Sequence, residues 1–268
     1  MQIGEALPHV FRRTYPIIEP TTQMLLAISL LRFHEIDALP IGFKASQKKR
    51  LAVFGYSCLS MLLETPQEDY GKFLNLPARK AALELATTGV DNDIKSLLEI
   101  FKRTKFGFAW VESDKLGGFA GLRDILELYE NEVIETKLTL GGLASPIFSM
   151  PKDARIKNVL KEMFNRRIRR VFVQGENSLV TDRRIIGFLF STLRLGETAK
   201  NPESLLSFNL GDIEAVEPLL VRGSSSVKKG ARSILDHSEE CLVCEKGVIT
   251  PWDLIMKPLA LGALKIKD

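Results

Sequence analysis

Apolar and polar positions along this chain switch repeatedly between two periods, and the switches follow one order. The clearest stretch lies in the second half. Pro146-Ile147-Phe148 predicts a short strand, Pro151-Lys152-Asp153-Ala154 opens a helix, and Ile156, Val159, Leu160 and Met163 give that helix one apolar face. Ile168-Arg169-Arg170-Val171-Phe172-Val173 then reads as a second strand, residues 174–182 as a polar turn, and Arg184-Ile185-Ile186-Gly187-Phe188-Leu189 as the antiparallel mate. The same strand, helix, strand, strand, helix order fits the rest. The first copy has strands at 15–18, 36–41 and 49–55 with a helix at 23–32. The second has a helix at 91–102 and a strand at 106–111, and in the fourth a helix at 227–235 precedes the strand Cys241-Leu242-Val243-Cys244.

A glycine marks each strand-to-helix junction. Gly247-Val248-Ile249-Thr250-Pro251-Trp252-Asp253 ends a strand and caps a helix, and Gly118-Phe119-Ala120-Gly121-Leu122-Arg123-Asp124 repeats its glycine-to-aspartate spacing. Weaker copies stand at Gly55, within Ala52-Val53-Phe54-Gly55-Tyr56-Ser57, and at Gly187, which leads into Ser191-Thr192-Leu193. Intervals of roughly 60–70 residues are too long for a solenoid unit and suit a small duplicated α/β motif. The expected fold class is therefore mixed α/β (α+β), built from four β-α-β-β-α motifs. The second motif's last helix gives way to the segment 131–143, which includes Gly141-Gly142, so the expected division is 1–134 and 138–268. The motifs fall at about 10–66 and 78–134, then at about 138–200 and 208–268.

Thr250 is a natural N-cap, Pro251 suits the first helical position, and Asp253 stands third, where a carboxylate reaches back to the cap. Capping alone would account for that copy. The first and third copies, however, show Ser57 with Ser60 and Ser191 with Arg194 around those positions, so the aspartate is kept only at Asp124 and Asp253. This alternation points to one ligand site in each half.

Ile168-Arg169-Arg170-Val171-Phe172-Val173, Leu39-Pro40-Ile41 and the Gly-x-x-Thr-x-x-Asp ending at Asp253 together resemble tandem cystathionine β-synthase (CBS) domains. The resemblance covers nearly the whole chain. It implies four CBS motifs in two Bateman modules, stacked as a disc as in the regulatory γ subunit of AMP-activated protein kinase. It also implies that Asp124 and Asp253 hold both ribose hydroxyls of an adenine nucleotide, helped by Thr250 and, in the other site, by the backbone at Gly121. The physical logic is that a carboxylate has two oxygens for a cis-diol, while the helix start favours a phosphate. For the first site the resemblance places Thr14, Tyr15, Pro16, Ile17, Asp37, Ala38, Leu122 and Arg123 around base and phosphate, with Arg12 or Arg13 as further phosphate partners. For the second it places Ser145, Pro146, Ile147, Phe148, Arg169, Arg170, Pro251 and Trp252 there. The clefts of the first and third motifs lack the aspartate, and Asp37 would repel a polyphosphate.

Composition changes this picture little. A chain of 268 residues, 45% hydrophobic and 26% charged, can bury real cores. The apolar run at 24–31 is far short of the roughly 20 residues that cross a bilayer, and no signal-peptide core is evident, so a cytoplasmic protein without a membrane partner is expected. Three cysteines fit a reducing compartment, and Cys241-x-x-Cys244 with His237 lacks the four ligands of structural zinc, so no metal is expected. His9, His34 and His237 lie in no catalytic motif, which argues against an enzyme and against a catalytic cofactor.

The reading is a non-catalytic sensor that binds AMP, with ADP, ATP or S-adenosylmethionine as further ligands, and that regulates a separate protein; a homodimer is compatible with it. The competing reading is nucleic-acid binding through Arg166, Arg167, Arg169 and Arg170 with Lys228-Lys229, although a net charge of +4 does not demand it.

Overall fold

The structure, a computed structural model of the chain, describes residues 1–13, 15–34, 36–42, 50–113, 117–237 and 241–267. It opens with α1 (Ile3–Ala6) and a 3-10 turn (Pro8–Arg12). The first motif has an isolated parallel bridge between Ile18 and Ile41 as its first strand, then α2 (Met24–Phe33), β1 (Ala38–Pro40), β2 (Leu51–Phe54) and α3 (Gly55–Glu64). After α4 (Tyr70–Asn75) and β3 (Ala82–Glu84), the second motif runs through β4 (Thr87–Gly89), α5 (Ile94–Thr104), β5 (Phe108–Glu112), β6 (Gly117–Gly121) and α6 (Leu122–Glu130). β7 (Ile134–Glu135) and α7 (Leu140–Leu143) lead to the third, with β8 (Ser149–Met150), α8 (Ile156–Arg166), β9 (Arg170–Val173), β10 (Leu179–Thr181) and α9 (Asp182–Leu189). α10 (Thr192–Lys200) connects to the fourth: β11 (Leu219–Leu220), α11 (Val227–Asp236), β12 (Leu242–Cys244), β13 (Gly247–Ile249) and α12 (Pro251–Ala260). A last strand, β14 (Lys265–Ile266), pairs antiparallel with β7.

In every motif the first strand is parallel to the second and the second antiparallel to the third. A helical crossover permits the first pairing and a short connection the second. The fold is thus four repeated β-α-β-β-α units. The first helices of the second, third and fourth motifs are amphipathic and bury one stripe, as α5 does with Ile94, Leu97, Leu98 and Phe101.

Two junctions differ from expectation. Residues 184–189, expected as a strand, lie in α9, because Ile185, Ile186 and Leu189 form a helical stripe and the Thr181 hydroxyl accepts the Arg184 amide at 3.4 Å. The strand mate of β9 is instead Leu179-Val180-Thr181. Gly187 therefore lies inside a helix and Gly55 begins one, so neither corresponds to Gly118 and Gly247. Those two glycines are equivalent for a spatial reason. A Cβ at Gly118 would strike the Val10 carbonyl, and one at Gly247, where φ is 136°, would strike the Ser145 carbonyl.

The chain divides into two compact units that cut across the sequential halves. One comprises Met1–Thr14, Ala86–Ile147 and Pro218–Asp268; the other comprises Tyr15–Leu85 and Phe148–Glu217. Each takes one motif from each half, so 1–134 and 138–268 describe the duplication but not the packing. The duplication itself is visible in backbone bridges: Gln2 to Asp93 and Gln23 to Pro77 in the first half recur as Thr139 to Ser226 and Arg155 to Asn209 in the second.

Each unit has its own apolar core. The unit of motifs two and four buries Leu97, Phe101, Val111 and Ile125 with Ile234, Leu242, Ile249 and Leu254. Within it the buried Tyr129 hydroxyl donates to the Leu254 carbonyl at 2.7 Å, and burial pushes that phenol up. The other unit buries Ile28, Leu39, Val53 and Leu59 with Val159, Val171, Val180 and Ile185. All three cysteines are buried and none is in a disulfide, and burial pushes the Cys58 thiol up to about 12.

Candidate functional site

The start of α12 is built as the sequence suggests. The Thr250 hydroxyl accepts the Asp253 amide at 3.2 Å, and Asp253 Oδ2 accepts the Thr250 amide at 2.9 Å, with Pro251 in the first turn. Capping uses only one carboxylate oxygen. The other, Oδ1, accepts the Ser145 hydroxyl at 2.9 Å and lies 3.0 Å from Lys257 Nζ, although the side chain is only 6% exposed. Lys257 also donates to Ser145 Oγ at 2.8 Å and to the Leu143 carbonyl at 2.6 Å. Ser145 reaches this position because its backbone pairs with Val248 of β13, at 2.8 and 2.9 Å. Pro146 and Ile147 follow it and are exposed, while Trp252 packs partly into the core.

The start of α6 repeats the device with different partners. Asp124 Oδ2 accepts the Gly121 amide at 2.6 Å, while Oδ1 faces His9 Nε2 at 3.1 Å and an Arg13 guanidinium nitrogen at 2.7 Å. Burial pushes this carboxyl up, but His9, the Gly121 amide and Arg13 together outweigh it and hold it below the usual carboxylate range. The hydrogen bond to Asp124 raises His9 above its ordinary value against the opposing effect of burial. Glu127, one turn along α6, lies 3.6 Å from His9. A cavity of about 600 Å³ adjoins these groups, lined by Arg13, Arg123, Glu127, Glu130, Asn131 and Asp236, among others. Leu122 opens the helix, and Arg123 donates to the Ile234 carbonyl at 3.2 Å.

The third and first motifs carry something else. Asp182 is buried at the first position of α9, with Oδ2 2.7 Å from Arg169 Nε. Arg169 also reaches Asp37 Oδ1 at 2.7 Å, and Arg183 grips Asp37 through Nε at 3.1 Å and a second nitrogen at 2.9 Å. At the third helical position, which holds Asp124 and Asp253 in their helices, the first motif has Ser57 and the third Arg184. The aspartate there is kept in the second and fourth motifs, as expected, but the residue replacing it in the third is Arg184 rather than a neighbour of Ser191.

Ser145, Pro146, Ile147, Thr250, Pro251, Trp252 and Asp253 share one compact unit, as do Gly121, Leu122, Arg123 and Asp124. Tyr15, Pro16, Ile17, Asp37, Ala38, Phe148, Arg169 and Arg170 stand in the other unit, and Thr14 lies outside the described residues. Arg169 is committed to Asp37 and Asp182, Asp37 to two arginines, and Ala38 is buried in β1. Within the basic run Arg166, Arg167 and Arg169 are exposed, and two of them have acidic partners. Arg166 pairs with Glu162 at 2.9 Å and lies 4.1 Å over the Phe148 ring. Sequence reasoning missed His9, Glu127, Asp182 and the role of Lys257. The four-residue step from Asp253 to Lys257 was a usable signal; His9 approaches Asp124 only through the fold.

No family model matches the sequence, and no curated protein matches it significantly. The fold is shared with protein MJ1225 from Methanocaldococcus jannaschii, described as a proposed archaeal homolog of g-AMPK, with a TM-score of 0.81, 17% identity, and coverage of 96% of this chain and 99% of that one. An uncharacterized conserved protein from Pyrococcus horikoshii matches with a TM-score of 0.51 and 14% identity over 82% of this chain and 90% of that one. CBSX2 from Arabidopsis thaliana, a CBS-pair protein, matches 47% of this chain and 98% of its own length at 17% identity and a TM-score of 0.35. The match to MJ1225 shows a shared fold over nearly the whole of both chains. Among the described residues no helix is long and apolar enough to cross a membrane.

Proposed function

We propose that this CBS-fold chain is a non-catalytic sensor that binds AMP at the start of α12 and at the start of α6, and so regulates a separate protein. The observation carrying this reading is the second oxygen of Asp253. The capping box needs only Oδ2, yet Oδ1 is also kept buried and is met by a hydroxyl from Ser145 and by the Lys257 ammonium. A ribose diol presents the same hydroxyl donors and would replace Ser145 there, leaving Lys257 to turn toward a phosphate. The Thr250 hydroxyl and the Trp252 amide in the first helical turn add donors, and Pro146 and Ile147 offer exposed apolar surface for a base. At Asp124 the displaced partners are His9 and Arg13, with Arg123 beside them on the cavity wall. The shared fold with a proposed archaeal homolog of g-AMPK supports a regulatory role.

Binding at either position must break an internal ion pair, which makes the ligand a competitor of the protein's own cations and couples occupancy to local rearrangement. Calorimetric titration of the full chain with AMP, ATP and S-adenosylmethionine tests this. Saturable binding of AMP, weakened in Asp124→Asn and in Asp253→Asn and lost in the double variant, is expected; S-adenosylmethionine binding more tightly than AMP would reassign the ligand, and a flat trace for all three would remove the sensor reading.

A further inference from the structure

We propose that His9, Asp124 and Glu127 form a binding site for a divalent transition-metal ion of the zinc, manganese or cobalt class. The three donors come from two separately anchored elements. Asp124 and Glu127 stand three residues apart on one face of α6, and His9 is carried by the Pro8–Arg12 turn, whose Val10 is fully buried, as is Leu7 before it. One ligand atom from each lies within 4.8 Å of the others. His9 Nε2 is 3.1 Å from Asp124 Oδ1 and 3.6 Å from Glu127 Oε2. Ligands bound at 2.0–2.2 Å around an octahedral or tetrahedral ion are separated by roughly 3.0–3.4 Å, so two edges of a coordination shell are already nearly in place.

The surroundings favour an ion over a plain ion pair. Asp124 is oriented by the Gly121 amide on its other oxygen, as metal-bound carboxylates are usually oriented by an outer hydrogen bond. Glu127 is partly exposed and needs only a side-chain rotation to close the third edge. It also lines the cavity of about 600 Å³, which leaves room for water or an anion at the remaining coordination positions, with Arg13 and Arg123 on the wall to receive a negative charge. The ion must displace the Arg13 guanidinium from Asp124 Oδ1; that side chain is 44% exposed, so the pair it gives up is partly screened by solvent. One imidazole with two carboxylates selects against magnesium and calcium, which prefer all-oxygen shells.

This assignment does not rest on the nucleotide reading, although Asp124 Oδ1 cannot serve a ribose and an ion together. Cobalt(II) is titrated into the nucleotide-free full chain near neutral pH while visible ligand-field bands are recorded. Saturable bands at one equivalent, reversed by a chelator, are expected. His9→Ala and Glu127→Gln should each weaken the affinity roughly tenfold or more while the thermal melt without metal stays cooperative, and Asp253→Asn should leave it unchanged. Glu127→Gln alters a partly exposed side chain and keeps the test valid should His9→Ala fold poorly. Absence of bands at tenfold metal excess, or unchanged affinity in Glu127→Gln, overturns the site.

Discussion

Asp37 and Arg169 occupy corresponding positions in the first and third motifs, and their side chains meet at 2.7 Å. Each gives its carbonyl to the first amide of the motif's second helix, Asp37 to Gly55 and Arg169 to Asp182. Two copies of one position have thus acquired opposite charges and pair with each other. Arg183 and Asp182 complete the cluster and fix its polarity.

Replacing Asp37 by Asn takes a charged partner from two guanidiniums, of which Arg169 keeps Asp182. Because both arginines are more than a third exposed, the expected cost is about 1–3 kcal/mol rather than that of a fully buried pair. Exchanging the charges in Asp37→Arg with Arg169→Asp should not restore stability, since the new arginine would face Arg183 and the new aspartate Asp182. Urea unfolding of the three proteins measures this; full recovery in the exchanged protein would show that the surrounding pair does not set the polarity.

The same cluster gives a signed pH dependence. Burial pushes the Asp37 carboxyl up, but Arg169 and Arg183 outweigh it and hold it well below the usual range. Its contribution is therefore complete above the unfolded value of about 4 and is lost as pH falls below that toward the folded value. The stability gap between the wild type and Asp37→Asn should narrow between neutral pH and about pH 3. A gap that stays constant would mean the carboxylate is not the group responsible.

Three glycines separate spatial need from helix propensity. Gly118→Ala and Gly247→Ala press a methyl against main-chain carbonyls and should each cost about 1–3 kcal/mol, with Gly247 the worse because of its left-handed φ. Gly187→Ala meets nothing within 4 Å inside α9 and should stabilise by up to about 1 kcal/mol. Midpoints of thermal unfolding rank the three; a destabilising Gly187→Ala would contradict its placement.

At α12, Asp253→Asn keeps an oxygen for the Thr250 amide but loses the second acceptor, so AMP affinity there should fall roughly tenfold to a hundredfold with little change in stability. Lys257→Met removes the internal competitor and should tighten ribose binding while weakening any preference for a more highly charged phosphate chain. Comparing adenosine with AMP on that variant reads the two effects apart; weaker adenosine binding would argue that Lys257 is not a competitor.

The motif order was legible in the sequence because helical and alternating periods are local, and Ile156, Val159, Leu160 and Met163 carry their own signal. The capping box at Thr250 and Asp253 was legible for the same reason. The third motif's last strand was not, since Leu179-Val180-Thr181 is three residues long and hidden behind polar Gln174 to Ser178, whereas the longer apolar run after it mimics a strand. Partners such as His9 with Asp124, or Ser145 with Asp253, are separated by more than a hundred positions and depend on backbone approach at glycine. Packing between motifs left no local trace at all, so the sequential halves looked like natural units.

That interleaving dictates how the chain must come off the ribosome. The core that receives residues 1–13 also needs residues 218–268, so the earlier segment waits for the later one before its surroundings are complete. A nascent chain released at the linker after β7 would hold half of each core and should be degraded or aggregate, whereas the two fragments synthesised together should recover a native complex. Proteolytic nicking at that linker, for the same reason, should leave the pieces associated until denaturant is added.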